Sequence, residues 1–381
     1  MKKIISFFVG ILMLCCSIPV FGADLKLYAK SAVLMEVDSG EILYGKAEKK
    51  EMPNASTTKI MTCLYILEHC DLEEKAKVSK NAASQPKVRL GVREGESYKV
   101  KDLLYGLMLE SYNDCAVVLA EYAEGSVENF ETKINAEAKK FGAKSTHFVS
   151  PNGLDASDKG GSHRTTAYDL ALIMRECIQN KEFLKITRTK SYSFSDASGK
   201  RQFSCSNHNA LLSSMEGAIS GKTGYTSKAG YCYVGAVEQN GMKMIAVVLA
   251  SGWPPNKSYK WADVRTLISY GTENYEYREV RADTSAIQKL PVIGGTKPDV
   301  LLKIDGEETP ILLKKSEKVQ MKCSLPQKVE APVKEGEVIG EIRYMVGDQC
   351  KKTRKIKAKE NVREKNYWWY LGNAIKEYSL P

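Results

Sequence analysis

A chain of 381 residues that is 43% hydrophobic and 27% charged can bury one full-sized core, with about a hundred residues left over for a second domain. The net charge of +10 is spread along the sequence, with one concentration at Lys351, Lys352, Arg354, Lys355, Lys357 and Lys359. No nucleic-acid module accompanies that run, which excludes a nucleic-acid partner and leaves a solvated strand face, or attraction to anionic lipid or wall polymer.

Residues 1–23 have the three parts of a secretory signal: Lys2 and Lys3, an apolar run from Ile4 to Val20, and small residues at Gly22 and Ala23. Cleavage near Gly22 or Ala23 is expected, with a retained N-terminal anchor as the alternative, and either would export the body. Cys15 and Cys16 fall in this segment. The other eight of the ten cysteines are scattered singly without metal-ligand spacing, so buried free thiols are expected and no cofactor is implied.

Two strand-like runs at 31–37 and 41–44, joined by Asp38-Ser39-Gly40, predict a hairpin at the start of the mature chain. Helical spacing of apolar residues follows over 57–69, 100–124, 127–141 and 167–179, the last with Thr166 as cap and Asp169 in its first turn. Strands return at 231–238 and 242–250 around Asn240-Gly241, a pair suited to a tight hairpin, and a helical run at 262–270 closes the unit. Strands at both ends with helices between them predict an α+β fold, an antiparallel sheet flanked by helices. From about residue 280, short β-branched runs at 290–293, 300–304, 311–313, 319–323, 338–344 and 354–358 predict a small all-β sandwich. The expected organisation is a signal at 1–23, a catalytic domain at 24–277, a β-sandwich at 278–361 and an aromatic amphipathic tail at 362–381. That tail, with Tyr367, Trp368, Trp369, Tyr370, Leu371, Ile375 and Tyr378 beside Lys365 and Lys376, is too short to span a bilayer. It suits a membrane interface or packing back onto the β domain.

Three short motifs carry the chemistry. Ser56-Thr57-Thr58-Lys59 opens an apolar helix, so Ser56 and Lys59 share a face, and a buried lysine beside another positive charge can serve as the base that a weak serine nucleophile needs. Ser111-Tyr112-Asn113 begins a further helical stretch, and Lys222-Thr223-Gly224 precedes the strand at Tyr231. Ser84-Gln85-Pro86-Lys87 repeats the first spacing without a helix behind it, and Ser150-Pro151-Asn152 repeats the second without a new helix, so both are set aside. Met242-Lys243-Met244 mimics a biotin-carrier signature, but Asn240-Gly241 takes the hairpin tip where a biotinylated lysine would sit.

In that order and setting, the motifs make the chain resemble the low-molecular-mass penicillin-binding proteins of the D-alanyl-D-alanine carboxypeptidase type, within the serine β-lactamase and transpeptidase superfamily. The resemblance extends to 53–62, 111–114, 151–155, His163 with 165–170, and 221–231, and 334–340 resembles the family's second, β-rich domain. It implies that Ser56 attacks the penultimate D-alanine carbonyl of a peptidoglycan stem peptide with Lys59 as base. The backbone N–H groups of Ser56 and Tyr225 would form the oxyanion hole and Ser111 would relay a proton. It further implies that Asn113 binds the substrate amide, that Lys222, Thr223 and Gly224 bind its carboxylate, and that β-lactams acylate Ser56. His208 stands where relatives often have arginine, as a substrate contact or a satisfied loop histidine. Lys260 resembles a carboxylate-binding position that is commonly arginine, keeping the charge without the two-pronged donor. A β-lactamase would need a glutamate poised to activate water, and Glu131 with Asn135 has that spacing, but lies in the helical run 127–141, where Glu131 should face solvent and Asn135 the core.

Overall fold

The computed structural model describes residues 25–281, 287–306 and 308–378; the expected export segment, with Cys15 and Cys16, lies outside them. Strands β1 (Ser31–Glu36) and β2 (Ile42–Lys46) form the opening hairpin. Its turn is tied by the buried Glu36 carboxylate, which accepts the N–H groups of Asp38 (2.9 Å) and Ser39 (2.7 Å). A short 3-10 turn, Ala55–Thr58, then leads into helix α1 (Lys59–His69).

The helical run expected over 100–124 is broken just before the further helical stretch expected at Ser111-Tyr112-Asn113. Helix α2 (Val100–Tyr105) widens into a π turn at Gly106–Glu110, Ser111 adopts a left-handed φ of 68°, and α3 (Asn113–Glu124) starts afresh. Gly106 permits the break: a Cβ there would lie 3.1 Å from both Cys115 Sγ and the Tyr112 ring. Helices α4 (Val127–Lys140) and α5 (Ala167–Cys177) follow, the latter capped by Thr166, whose hydroxyl accepts the Asp169 N–H at 2.9 Å.

Strands β3 (Ala218–Thr226), β4 (Gly230–Gln239) and β5 (Met242–Leu249) complete an antiparallel sheet in the order β2-β1-β5-β4-β3. The β4–β5 turn uses positive φ at both Asn240 (52°) and Gly241 (72°). Lys222-Thr223-Gly224, expected ahead of a strand, lies within β3, with Lys222 opposite Val234 and Gly224 opposite Cys232. Two glycines and a lysine disguise β3, because neither residue type favours a strand interior. Alternate residues feed two cores: Val33, Met35, Ile245 and Val247 pack with the helices α1 to α5, and Ala32, Leu34, Ala246 and Val248 pack against α6 (Tyr259–Asn274).

Strand β6 (Tyr275–Arg278) continues α6, spans the expected domain junction and pairs with β9 (Ile311–Lys314). The rest of the second region is a six-stranded sheet. It comprises β7 (Lys289–Ile293), β8 (Asp299–Ile304), β10 (Gln320–Ser324), β11 (Val329–Glu330), β12 (Val338–Val346) and β13 (Gln349–Ala358), in the order β10-β12-β13-β8-β7-β11. Its core is Leu290, Val300, Leu313, Ile342, Tyr344 and Ile356. The basic run lies on and just beyond β13, where Lys351 pairs with Glu41 of the opening hairpin at 2.8 Å. The tail forms helix α7 (Tyr367–Tyr378), with Tyr367 71% and Trp368 73% exposed. No described helix is long and apolar enough to cross a membrane. The eight described cysteines are all free, but not all buried as expected: Cys70 is half-buried, and Cys323 and Cys350 are exposed because β10 and the start of β13 face solvent on both sides.

Candidate active site

The polar turn before α1 is built from its own side chains. Asn54 Nδ2 donates to Thr57 Oγ1 (3.1 Å) and Thr58 Oγ1 (2.8 Å), and those hydroxyls donate back to the Asn54 and Ala55 carbonyls at 2.7 and 2.9 Å. Ser56, half-buried, is thereby presented at the start of the helix, with its Oγ 3.4 Å from the Asn152 carbonyl.

Lys59 lies one turn on, fully buried. Its Nζ is 2.9 Å from Ser56 Oγ, 3.3 Å from Ser111 Oγ, 3.0 Å from the Ser111 carbonyl and 2.8 Å from Asn113 Oδ1. Burial, and after it the charge of Lys222, hold this amine well below the usual lysine range; Cys115 and Asp114 oppose the shift. The break between α2 and α3 is what brings Ser111 here, since a continuous helix would carry its side chain elsewhere. Asp114 steadies the break by accepting the N–H groups of Leu90, Gly91 and Val92 at 2.9, 2.7 and 3.2 Å.

Strand β3 forms the opposite wall. A Cβ on Gly224 would lie 2.9 Å from the Asn54 carbonyl and 3.1 Å from the Ser56 nitrogen, so only glycine lets β3 approach the turn this closely. Lys222 is buried, its Nζ donating to the Thr223 carbonyl at 3.0 Å, and burial pushes its pKa down to about 7. Tyr225 is exposed beside Tyr231, ring centroids 4.8 Å apart. Ser56, Lys59, Ser111, Asn113, Lys222, Thr223, Gly224 and Tyr225 thus come from three separate stretches to two facing walls.

His208 and Lys260 are engaged outside this cluster. His208, its side chain 61% exposed, pairs with Glu110 at 2.8 Å, next to Ser111. Lys260 Nζ donates to the Lys257 carbonyl at 2.7 Å and lies over the rings of Tyr231 and Trp261 at 4.8 and 4.6 Å; burial first, then the Lys257 charge, bring its pKa to about 8.

Both segments set aside in the sequence reach the site through their backbones. Asn113 Nδ2 donates to the Pro86 carbonyl at 3.3 Å, and Asn152, whose carbonyl faces Ser56, donates through Nδ2 to Gln85 Oε1 at 3.1 Å. Spacing cannot reveal a carbonyl's role. The usable signal was the family block 151–155, which the resemblance recorded without assigning it a task.

Asn135 exchanges hydrogen bonds with the Phe148 backbone at 2.7 and 2.8 Å and so ties α4 to the following loop. Glu131, expected to face solvent, is half-buried, and burial, then Glu128 and Asp158, raise its carboxyl to about 7. Asn135, one turn on from Glu131, holds the Phe148 loop beside this face of α4. Among the described residues one cluster has metal-ligand chemistry, Glu68, His69 and Glu137, with donor atoms within 4.8 Å. It sits at the far end of α1 from Ser56, about 20 Å along the helix axis, and His69 pairs with Glu137 at 3.5 Å.

A family model described as D-alanyl-D-alanine carboxypeptidase matches residues 20–252, and one described as Penicillin-binding protein 5, C-terminal domain, matches residues 275–364. The D-alanyl-D-alanine carboxypeptidase DacF of Bacillus subtilis is 29% identical over 395 aligned positions, covering 100% of this chain and 99% of its own length. Penicillin-binding protein 5 from Haemophilus influenzae superposes with a TM-score of 0.70 at 26% identity, over 89% of this chain and 99% of that one. Penicillin-binding protein D2 from Listeria monocytogenes, solved in a cefotaxime-bound form, gives a TM-score of 0.58 at 30% identity, over 66% of this chain and 100% of that one. With residues 20–252, residues 275–364 and its architecture all matched in this way, the chain belongs to the D-alanyl-D-alanine carboxypeptidase family.

Proposed function

We propose that this protein is a serine-type D-Ala-D-Ala carboxypeptidase that removes the terminal D-alanine from peptidoglycan stem peptides through an acyl-enzyme on Ser56. The observation that carries the reading is the buried Lys59 amine, held below its usual pKa and placed between Ser56 Oγ and Ser111 Oγ. Ser56 Oγ attacks the carbonyl carbon of the penultimate D-alanine as its proton passes to Lys59 Nζ. The oxyanion is met by the N–H groups of Ser56 and Tyr225. Collapse breaks the C–N bond, and the leaving D-alanine nitrogen takes a proton by way of Ser111. Water then attacks the ester and returns Ser56 to its starting state. Asn113 holds the substrate amide, and Lys222 with Thr223 and Gly224 holds the terminal carboxylate, whose negative charge favours the lysine cation. Lys260 and His208 act at the rim, Lys260 through Tyr231 and His208 through Glu110.

A β-lactam mimics the terminal dipeptide and acylates the same serine, a reading supported by the cefotaxime-bound relative. We further propose the organisation 24–277 catalytic, 278–361 β-sandwich and 362–381 tail, with residues 1–23 directing export to the outer face of the cytoplasmic membrane. On helix α7, Tyr367, Trp368, Leu371 and Ile375 share about a 100° face, a pattern suited to lying in a membrane interface. The chemistry is tested by incubating the protein with diacetyl-Lys-D-Ala-D-Ala and with penicillin. Mass spectrometry should find the dipeptide bond cut once, and a covalent penicillin adduct absent from Ser56→Ala. An adduct that persists in Ser56→Ala would remove the nucleophile from the account.

A further inference from the structure

The turn that presents Ser56 holds an unfavourable backbone angle. Ala55 has a φ of +49°, in the left-handed region that a residue with a Cβ enters only at a cost. Its carbonyl is fixed from two sides: Thr58 Oγ1 donates to it at 2.9 Å, and Gly153 packs so close that a Cβ there would lie 2.0 Å from the oxygen. The Ala55 carbonyl and the Ser56 N–H are opposite ends of one planar trans peptide unit, so fixing the carbonyl also aims the N–H. Thr58 is therefore the pin that sets the direction of a donor assigned to the oxyanion hole.

Thr58 is itself held by His163. The Thr58 hydroxyl proton goes to Ala55, and its oxygen meets Asn54 Nδ2 at 2.8 Å and His163 Nε2 at 2.8 Å. The Val149 N–H points at His163 Nδ1 at 3.0 Å, so Nδ1 offers a lone pair and the hydrogen resides on Nε2, which donates to Thr58. A second proton on the ring would set N–H against N–H at Val149. The imidazole is buried and stays neutral, and burial pushes its pKa down to about 3.

We propose that His163 is a positioning residue for acylation: its Nε2–H orients Thr58, which fixes the Ala55–Ser56 peptide unit and thereby aims the Ser56 N–H at the developing oxyanion. The proposal rests on the acyl-enzyme reading above. It separates the two ring nitrogens by task, Nε2 serving the turn and Nδ1 serving the Val149 loop.

Two near-isosteres divide those tasks. In His163→Gln the side-chain nitrogen can still reach Thr58; in His163→Asn the shorter amide can reach the Val149 N–H but not Thr58. Single-turnover acylation by a fluorescent penicillin should be about 10- to 100-fold slower in His163→Asn, with the noncovalent binding constant unchanged. The loss in His163→Gln should be at least about tenfold smaller, even though His163→Gln, which leaves the Val149 N–H without its acceptor, should have the lower melting temperature. Thr58→Val should resemble His163→Asn, and the double variant should be no slower than Thr58→Val within about threefold, because both act through one bond. Equal losses in the two His163 variants, losses that track melting temperature, or additive effects in the double variant would overturn the proposal. Failure of the underlying acyl-enzyme reading is distinguishable, since the unmodified protein would then not be acylated at Ser56 at all.

Discussion

The regions before and after Tyr275 treat buried charge in opposite ways. The first buries Glu36, Lys59, Asp114, Asp169, Lys222, Lys260 and Asp263, among others, whereas Arg354 is the one charged residue buried in the described part of the second. Several of the first region's buried charges are structural ties. Asp263, for example, accepts the N–H groups of Tyr28 and Ala29 at 2.8 and 2.7 Å and the Ser251 hydroxyl at 2.6 Å. Lys59 and Lys222 differ from these, because among the described residues no carboxylate accepts from either amine, neither lies over an aromatic ring as Lys260 does, and both are shifted toward the neutral form. Desolvating an amine without a counter-ion is costly, so these two lysines mark where the proposed reactivity would be gained at the expense of stability.

That contrast can be broken most sharply at Lys59. Lys59→Met keeps the volume and removes the proposed base, so acylation by penicillin should fall about 10³-fold or more, with the urea midpoint equal to or above the parent's. A loss of stability matching the loss of rate would show that Lys59 is an ordinary structural residue. Gly153→Ala should cost the first region about 3 kcal/mol or more, because the new Cβ meets the Ala55 carbonyl at a φ of +82°. Urea unfolding measures that cost, and a shift below 1 kcal/mol would mean that the turn relaxes freely. Ile356→Ala, in the apolar core of the second region, should destabilise by about 2–5 kcal/mol and leave kcat and KM within about twofold. A larger change in turnover would show that the two regions are functionally coupled.

Smaller effects sharpen the electrostatic half of the comparison. Because burial brings the Lys222 pKa down to about 7, kcat/KM should fall as pH rises through about 7, approaching tenfold per unit as the substrate carboxylate proposed to bind there loses its cation. Lys59 sets the opposite, rising limb, below the ordinary lysine range. A kcat/KM that stays level to pH 9 would remove Lys222 from carboxylate binding. His208→Ala, which breaks an exposed pair with Glu110, should change KM by less than about threefold; a tenfold rise would make the histidine a direct substrate contact.

The α+β plan and the β-rich second region were legible because their signals are local: the Asn240-Gly241 turn, the Thr166 cap and the apolar spacing of α1 and α5 each act within a few residues. The restart of a helix at Ser111-Tyr112-Asn113 was legible too, whereas the π turn at Gly106–Glu110 before it and strand β3 were not. The first hides inside an unbroken apolar run, and the second is spelled with Gly221, Lys222 and Gly224, residues that make poor strand interiors but allow another backbone to come close. The same limit applied at the site. Side chains with distinctive chemistry, such as Ser56 and Lys59, announce themselves by type and order. The carbonyls of Asn152 and Pro86 do not, because every residue has one and only the fold decides which faces the cleft.

The distribution of thiols has a practical consequence. Five cysteines are sealed inside the first region, a sixth, Cys70, is half-buried at the end of α1, and the two in the second stand in solvent on strands that flank β12, Cys323 on β10 and Cys350 on β13. Maleimide dyes or spin labels should therefore attach fastest to the second region, and exclusively so in Cys70→Ser, leaving the cleft around Ser56 untouched. One optical reporter could then follow that sheet while a fluorescent penicillin follows Ser56, so that the opening of one half can be timed against the inactivation of the other in a single sample.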